Sequence, residues 1–342
     1  MSKRSFISLR LIFGLCVLGL VLFLSWHGYA YKAFINSPLN ISQQQVIEVR
    51  TGDNINQLSR QWYSRGIISN SLYLKVLARL NPQLQKIKVG EYLVEVGDTP
   101  LTLLVRLSQG KVIQYSVTIV EGINAHQLIQ QFKQQENLVF DLPEPIEKLH
   151  QILDLSYAGG QSNHIEGWFY PDTYYFSRAS SVLAILKRAN QKMQQVLEEE
   201  WQARQPGLPY NNPYEALIMA SIIEKETGIA VERGKIAGVF VRRLQKNMRL
   251  QTDPTVIYGI GPDFNGDITY KDLKTRTSYN TYQIKGLPPT PIAMPGRAAI
   301  HAALHPEEGN ELYFVATGDG GHYFSETLEQ HNAAVRRYQL KR

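Results

Sequence analysis

Between Ala216 and Ile223 the chain carries a single polar side chain, Ser221. A helix that is apolar on every side has to be enclosed by the rest of its domain, so this segment is what the fold must be built around. Asn212 suits the N-cap and Pro213 the first turn, where a missing N–H leaves no bond unmade. Gly228 is the expected stop. The segment ends in Glu224-Lys225-Glu226-Thr227, which puts Glu224 where the C-terminus of a buried helix leaves the core. Apolar surroundings and the negative end of the helix dipole both disfavour its charged form. A carboxyl that keeps its proton near neutrality is what a general acid requires. The residues leave a second reading open, in which Glu224 and Glu226 only mark where the helix reaches water, paired with Lys225 or Arg233.

The chain has 342 residues, enough for two domains. Its net charge of +6 is scattered, apart from a basic end at Arg336, Arg337, Lys341 and Arg342. No nucleic-acid-binding motif accompanies that charge, so no nucleic-acid partner is expected. From Leu11 to Tyr31 there is no Asp, Glu, Lys or Arg. That stretch can cross a hydrocarbon core of about 30 Å as one helix. Lys3, Arg4 and Arg10 precede it and only Lys32 follows closely, which keeps the N-terminus in the cytoplasm. Tyr29-Ala30-Tyr31 lacks a small-x-small cleavage site, so the segment reads as a retained single-pass anchor rather than a signal peptide. Cys16, the only cysteine, lies inside the span and allows no internal disulfide.

The expected organisation is a tail (1–10), the anchor (11–31), a polar linker (32–45), a small domain (46–110) and a larger domain (111–342). In the small domain Val46–Val49 alternates as a strand, and Thr51-Gly52-Asp53-Asn54 turns into a helix from Ile55. A second helix covers Asn70 to Leu80. A strand at Val89–Val96 and a helix from Leu101 to Gln109 follow. This βααβ order resembles a LysM-like module, a glycan-binding unit in many cell-wall proteins; a plain spacer is the alternative. The larger domain mixes a strand at Val112–Val120 with helices near 125–132, 181–205 and 232–244. A hairpin through Thr317–Gly321 and a last helix at Glu326–Leu340 complete it. The class is α+β.

His301 and His305 stand at i and i+4, a metal-compatible spacing, but no third ligand can be nominated and a packed pair is expected instead. Gly259-Ile260-Gly261 runs into Pro262 and is no dinucleotide loop. Ser221 has no histidine placed as its base and reads as a small core residue.

Four further motifs occur in fixed order around the buried helix. They are Glu166-Gly167-Trp168-Phe169-Tyr170-Pro171-Asp172-Thr173-Tyr174, Leu250-Gln251-Thr252-Asp253-Pro254-Thr255, Tyr279-Asn280-Thr281-Tyr282 and Gly286-Leu287-Pro288-Pro289-Thr290-Pro291-Ile292. With Ala220–Thr227 they make the chain resemble the endolytic murein transglycosylases of the MltG (YceG-like) family over essentially its whole length. The resemblance implies cleavage of the MurNAc–GlcNAc β-1,4 bond inside peptidoglycan glycan strands, leaving 1,6-anhydroMurNAc ends. Glu224 falls at the catalytic glutamate, acid first and base second, with no metal or organic cofactor. It also implies a role in cell-wall remodelling and in ending nascent strands beside penicillin-binding synthases, with the body periplasmic and the anchor in the inner membrane.

On the same resemblance, Glu166, Tyr170, Asp172, Gln251, Thr252, Asp253, Asn280 and Tyr282 are the substrate-binding candidates. Plainer readings exist for several of them. Asp253 before Pro254 suits an N-cap, and aromatic residues near 168–175 are ordinary core material. Two rival functions stay open. A muramidase would need a second carboxylate, with Asp172, Glu166 or Asp253 available. A non-catalytic glycan-binding or division scaffold would need none.

Overall fold

The computed structural model describes residues 3–158 and 160–340, with side chains from residue 11 onward. The side chains of Lys3, Arg4 and Arg10, on which the anchor's expected orientation rests, lie outside this description, as do Lys341 and Arg342. The chain divides into two compact units, Met1–Tyr115 with Ser177–Ala179, and Ser116–Phe176 with Ser180–Arg342.

The first unit opens with α1 (Lys3–Asn36), which over Leu11–Asn36 is long and apolar enough to cross a membrane. From Leu11 to Leu24 its large apolar side chains are exposed. Its last turns are not. Phe34 is buried in the core of the unit, with Tyr31 and Ile35 packed beside it, and His27 Nδ1 lies 2.8 Å from the Tyr73 hydroxyl. The expected linker is therefore largely fixed. It is helical to Asn36, then Leu39 N–H donates to Asp98 O at 2.7 Å and Asn40 N–H to Ile67 O at 2.9 Å.

The rest of the unit follows the strand–helix–helix–strand order of the sequence. It comprises β1 (Gln45–Val49), α2 (Ile55–Ser64), α3 (Ser71–Leu80), β2 (Gly90–Val94) and α4 (Pro100–Gln109). The two strands are antiparallel, with Ile47 opposite Tyr92. Ile47 and Val49 point inward while Val46 and Glu48 point out, the period of two that a half-buried strand demands. Each helix begins at a side-chain cap: Asn54 in a capping box with Gln57, Asn70, and Thr99 ahead of Pro100. Leu58 and Trp62, and then Leu103 and Leu107, repeat at i and i+4 and meet in one core.

The second unit is helical at its centre, with short strands around it. Its N-terminal part has β3 (Tyr115–Thr118), α5 (Ala125–Lys133), β4 (Leu138–Val139), α6 (Leu149–Ile152), β5 (Ser156–Tyr157), β6 (Gly160–Gln161), β7 (Thr173–Phe176) and β8 (Ser180–Ser181). The long α7 (Val182–Gln202) leads to α8 (Pro213–Glu226), α9 (Arg233–Gln245), α10 (Asp253–Ile260), α11 (Tyr270–Lys274) and α12 (Arg297–Leu304). A hairpin of β9 (Tyr313–Ala316) and β10 (His322–Ser325) precedes α13 (Leu328–Tyr338). Strands pair only in twos among the described residues, β3 with β7 and β4 with β8 besides the local hairpins, so no sheet is wide enough to carry the core.

That task falls to α8. From Ala216 to Ile223 no residue is more than 4% exposed, and α12, α9, α7 and α10 pack around the helix. Ser221 is a strut in this packing. Its hydroxyl donates to Ile218 O at 2.7 Å and accepts from Ile292 N–H at 3.0 Å, tying the Pro-rich loop to the helix. The helix ends just before the expected glycine, Gly228, which follows the C-cap but takes no left-handed φ. Thr227 is the C-cap, in extended conformation, and its buried hydroxyl accepts the Ile229 N–H at 2.9 Å.

Candidate active site

Three chain segments converge where α8 ends. The turn Glu121–Ile123 lies against the segment before α12: Gly122 N–H donates to Met294 O at 2.9 Å, and Met294 N–H to Ile123 O at 2.8 Å. Lys225 Nζ donates to Gly122 O at 3.1 Å and fastens α8 to the same turn. In this junction the Glu224 side chain is 7% exposed. Its Oε2 accepts the N–H of Gly296, the N-cap of α12, at 2.9 Å. Its Oε1 lies 3.8 Å from Arg233 Nη2, on α9. Burial pushes its pKa up, and the Glu121 charge adds to that; the Gly296 N–H, Arg233 and Lys225 pull the other way. A carboxyl so placed keeps a proton longer than a free glutamate does, and has a donor and a cation at hand once the proton leaves.

Glu226, the last residue of α8, faces a different neighbourhood. Its Oε1 accepts from the Thr252 hydroxyl. Burial raises its pKa to about 7, against the Thr252 hydrogen bond, with Asp253 adding to the rise and His322 opposing it. It lines a cavity of about 490 Å³ with Gln251, Thr252, Asp253, Tyr282, Arg243 and Tyr313 among its walls. Of the expected substrate residues of the second and third motifs, Gln251, Thr252, Asp253 and Tyr282 thus gather around Glu226, whereas Asn280 and Glu224 are not part of that cavity wall.

Within that group the side chains differ in what is free to meet a ligand. Asp253 is exposed and accepts from the Tyr282 hydroxyl at 2.7 Å. It is the first residue of α10 rather than its cap, since Thr252 occupies the N-cap position. Gln251 is exposed at a left-handed φ of 54°, its Oε1 3.3 Å from Arg243 Nη1. Asn280 is 1% exposed, and its amide donates to the carbonyls of Asp272, Leu273 and Thr275 at the end of α11. It shapes the loop that presents Tyr282, whose N–H donates to Asn280 Oδ1 at 3.0 Å.

The first motif splits in the same way. Glu166 is buried, receives the Ala125 N–H at 3.0 and 3.1 Å on its two oxygens, and accepts from the Tyr258 hydroxyl at 2.9 Å. It joins the start of α5 to α10, and burial raises its pKa to about 7 against those hydrogen bonds. Asp172 is exposed at the end of the motif, with its carbonyl paired to Ile119 N–H at 3.0 Å. Tyr170 is half-buried. Burial raises its phenol, opposed by Arg297 and reinforced by Asp172, Glu121 and Glu200, which puts it on the Glu121 side of the unit.

Sequence reasoning did not reach Glu121 or Gly296, although it offered Arg233 as a partner for the carboxyls at the end of α8. The pattern Glu121-Gly122 before a capped helix was visible, but nothing local joins it to a helix a hundred positions on. His301 and His305 do stack, at 4.1 Å between centroids, and the structure supplies the third group the sequence lacked. Glu200 bonds His301 Nδ1 at 2.8 Å and Arg297 Nε at 2.7 Å, and the three possible ligand groups lie within 4.8 Å of one another. The guanidinium already closes one carboxylate oxygen, and His305 Nε2 faces Ala203 O at 2.8 Å. The cluster is arranged as an ion-pair network.

Fold and junction together describe an α+β protein with a protected carboxyl at the end of its central helix. The chain belongs to the YceG-like family, whose model matches residues 47–337. It is 39% identical over 174 residues to the endolytic murein transglycosylase of Bacillus subtilis, covering 51% of this chain and 48% of that one. It is 24% identical over 343 residues to the enzyme of the same name from Streptococcus pneumoniae, covering 91% of this chain and 61% of that one. The chain therefore spans about half to three-fifths of the length of these relatives. A 2.6 Å crystal structure of a yceG-like protein from Listeria monocytogenes matches 85% of this chain and 99% of its own, at 30% identity and a TM-score of 0.53.

Proposed function

We propose that this protein is an endolytic lytic transglycosylase that cuts the MurNAc–GlcNAc β-1,4 bond within peptidoglycan strands, with Glu224 as acid and then base. The observation that carries this reading is the environment of Glu224: a buried carboxyl with a raised pKa that also has the Gly296 N–H and Arg233 within reach. Protonated, it gives its proton to the glycosidic oxygen as the C1–O bond breaks. As a carboxylate it takes the proton of the C6 hydroxyl of the same sugar while O6 bonds to C1. The 1,6-anhydro ring closes and Glu224 recovers its proton, with no water consumed. Because the nucleophile belongs to the substrate, its effective concentration is high and no second nucleophilic carboxylate is needed. The names carried by the Bacillus and Streptococcus relatives support the same activity.

In this reading the cavity beside Glu226, with Asp253, Gln251 and Tyr282 at its walls, holds sugars flanking the cut. Asp172 and Tyr170 are the polar and aromatic groups of the first motif that remain within reach of a glycan. The small unit acts as a LysM-like glycan module, α1 as a single-pass inner-membrane anchor with the body in the periplasm, and cell-wall synthases as partners whose nascent strands are ended.

Mass spectrometry of digested glycan strands tests the activity, since anhydro ends, reducing ends and uncut strands separate transglycosylase, muramidase and scaffold. Glu224→Gln should lower turnover by about 10²–10⁴-fold, the usual contribution of general acid–base catalysis, while the protein stays folded. Glu226→Gln should retain much more activity. The burial of Glu226 and its place on the cavity wall make it the rival acid, so the reverse result would move the assignment to Glu226.

A further inference from the structure

The last turns of α1 carry a seam that belongs to the small unit. His27, Ala30, Tyr31, Phe34 and Ile35 are buried or half-buried, at the spacing i, i+3, i+4, i+7 and i+8 that marks one face of a helix. Trp26 and Tyr29, off that seam, are 70% and 73% exposed. The group that meets the seam is Tyr73, in the first turn of α3. Its ring centre lies 6.2 Å from that of His27, 6.0 Å from that of Tyr31 and 5.8 Å from that of Phe34. Its hydroxyl is 2.8 Å from His27 Nδ1. Leu72, the residue before it, is a large apolar side chain left 60% exposed.

The helical rise fixes the level of this contact. A hydrocarbon core of about 30 Å takes about twenty residues at about 1.5 Å each, so the charge-free stretch that starts at Leu11 fills it near Ala30. The headgroup layer on one side adds about 5–7 Å, or about four more residues. His27 then lies inside the edge of the core, Tyr31 and Phe34 lie among the headgroups, and Lys32 is the first charge the helix offers to phosphate. A tilt of the helix only lowers these levels. An imidazole at that depth has little water to bond with, and the Tyr73 hydroxyl is the partner it finds. We propose that the start of α3 is a lipid-contact surface, with Leu72 resting in the outer headgroup layer of the bilayer that α1 crosses and Tyr73 clasping the two together. This rests on the reading of α1 as a membrane span. The exposed apolar side chains of α1 from Leu11 to Leu24 lead into the patch through Phe23, whose ring centre is 4.2 Å from that of His27. One apolar surface therefore passes from the helix to the unit, and the lipid around Phe23 is what covers Leu72.

The test is electron paramagnetic resonance of spin labels on the full chain in nanodiscs of phosphatidylethanolamine and phosphatidylglycerol. Collisions with oxygen, which concentrates in lipid, and with a nickel chelate, which stays in water, give the depth of each label. Cys16, the only cysteine, is labelled in the native sequence and reports the span. Leu72→Cys in a Cys16→Ser background reports the surface, and its exposed position keeps the change in packing small. The label on Cys16 should read deep in the core, and the label at position 72 at or below the phosphate level, with oxygen collisions exceeding nickel collisions at both. A position-72 label on the water side of the phosphates, open to nickel, overturns the proposal, while a deep Cys16 keeps the anchor. Protection from both reagents overturns it too, because a protein surface such as a second copy of the chain then covers Leu72. If Cys16 itself is open to nickel, the membrane span has failed and the lipid contact falls with it.

Discussion

At the scale of single residues, the buried polar groups of the second unit are mostly ties between segments. Ser221 accepts the Ile292 N–H from inside the most apolar helix of the chain. Ser221→Ala should cost about 1–3 kcal/mol, because that N–H is left buried without a partner; urea denaturation of the variant measures it. Glu166 ties α5 to α10 and carries a testable pH signature. Its pKa is 4.5 when exposed and about 7 in the folded protein, so between those values the folded state holds more protons than the unfolded one. Stability should therefore be highest below about pH 4.5 as far as this group is concerned, and fall as the pH rises through about 7. Glu226 adds a contribution of the same sign. Urea midpoints measured at pH 5 and pH 7.5 should show the decline, and Glu166→Gln should flatten part of it. An equal decline in Glu166→Gln would assign the effect to other groups.

At the scale of elements, α8 holds the second unit together because no sheet does. Leu217 is fully buried within it, and Leu217→Ala should destabilise the protein by about 2–5 kcal/mol, measurable from the same denaturation curves. This helix was legible from its sequence, since one polar residue among apolar ones admits only an enclosed position. The capped helices of the small unit were legible too: Asn54, Asn70 and Thr99 stand where their caps were needed. What stayed hidden depends on tertiary neighbours. Motif order grouped Thr252, Asp253 and Tyr282 with Glu224, whereas two positions along a helix turn a side chain about 200° and the cavity belongs to Glu226. Asn280 resembled a free polar group because nothing in its neighbours reveals that the end of α11 folds back onto it. The stop of α8 was legible in place, since Gly228 directly follows its C-cap, but not in geometry: the Thr227 hydroxyl closes the turn across Gly228 by accepting the Ile229 N–H, and the glycine takes no left-handed φ.

At the scale of the whole molecule, Glu224, Glu226 and Glu121 all belong to the second unit. Deleting residues 46–110 should accordingly leave cleavage of soluble glycan strands intact while weakening retention on whole sacculi, as a pull-down against purified wall would show. Complete loss of turnover in a folded deletion protein would mean that the small unit contributes to the reacting site. Protease added to spheroplasts should digest the body and spare α1; protection of the body would contradict the proposed orientation. The last turns of α1 are built into the core of the small unit through Phe34, and the chain beyond is pinned by Leu39 and Asn40. A stalk continuous with its head has no swivel. With α1 seated in a bilayer as proposed, the small unit stands at a set altitude over the lipid, and the layer of wall it samples is chosen by the length of a rigid post rather than by the wandering of a leash.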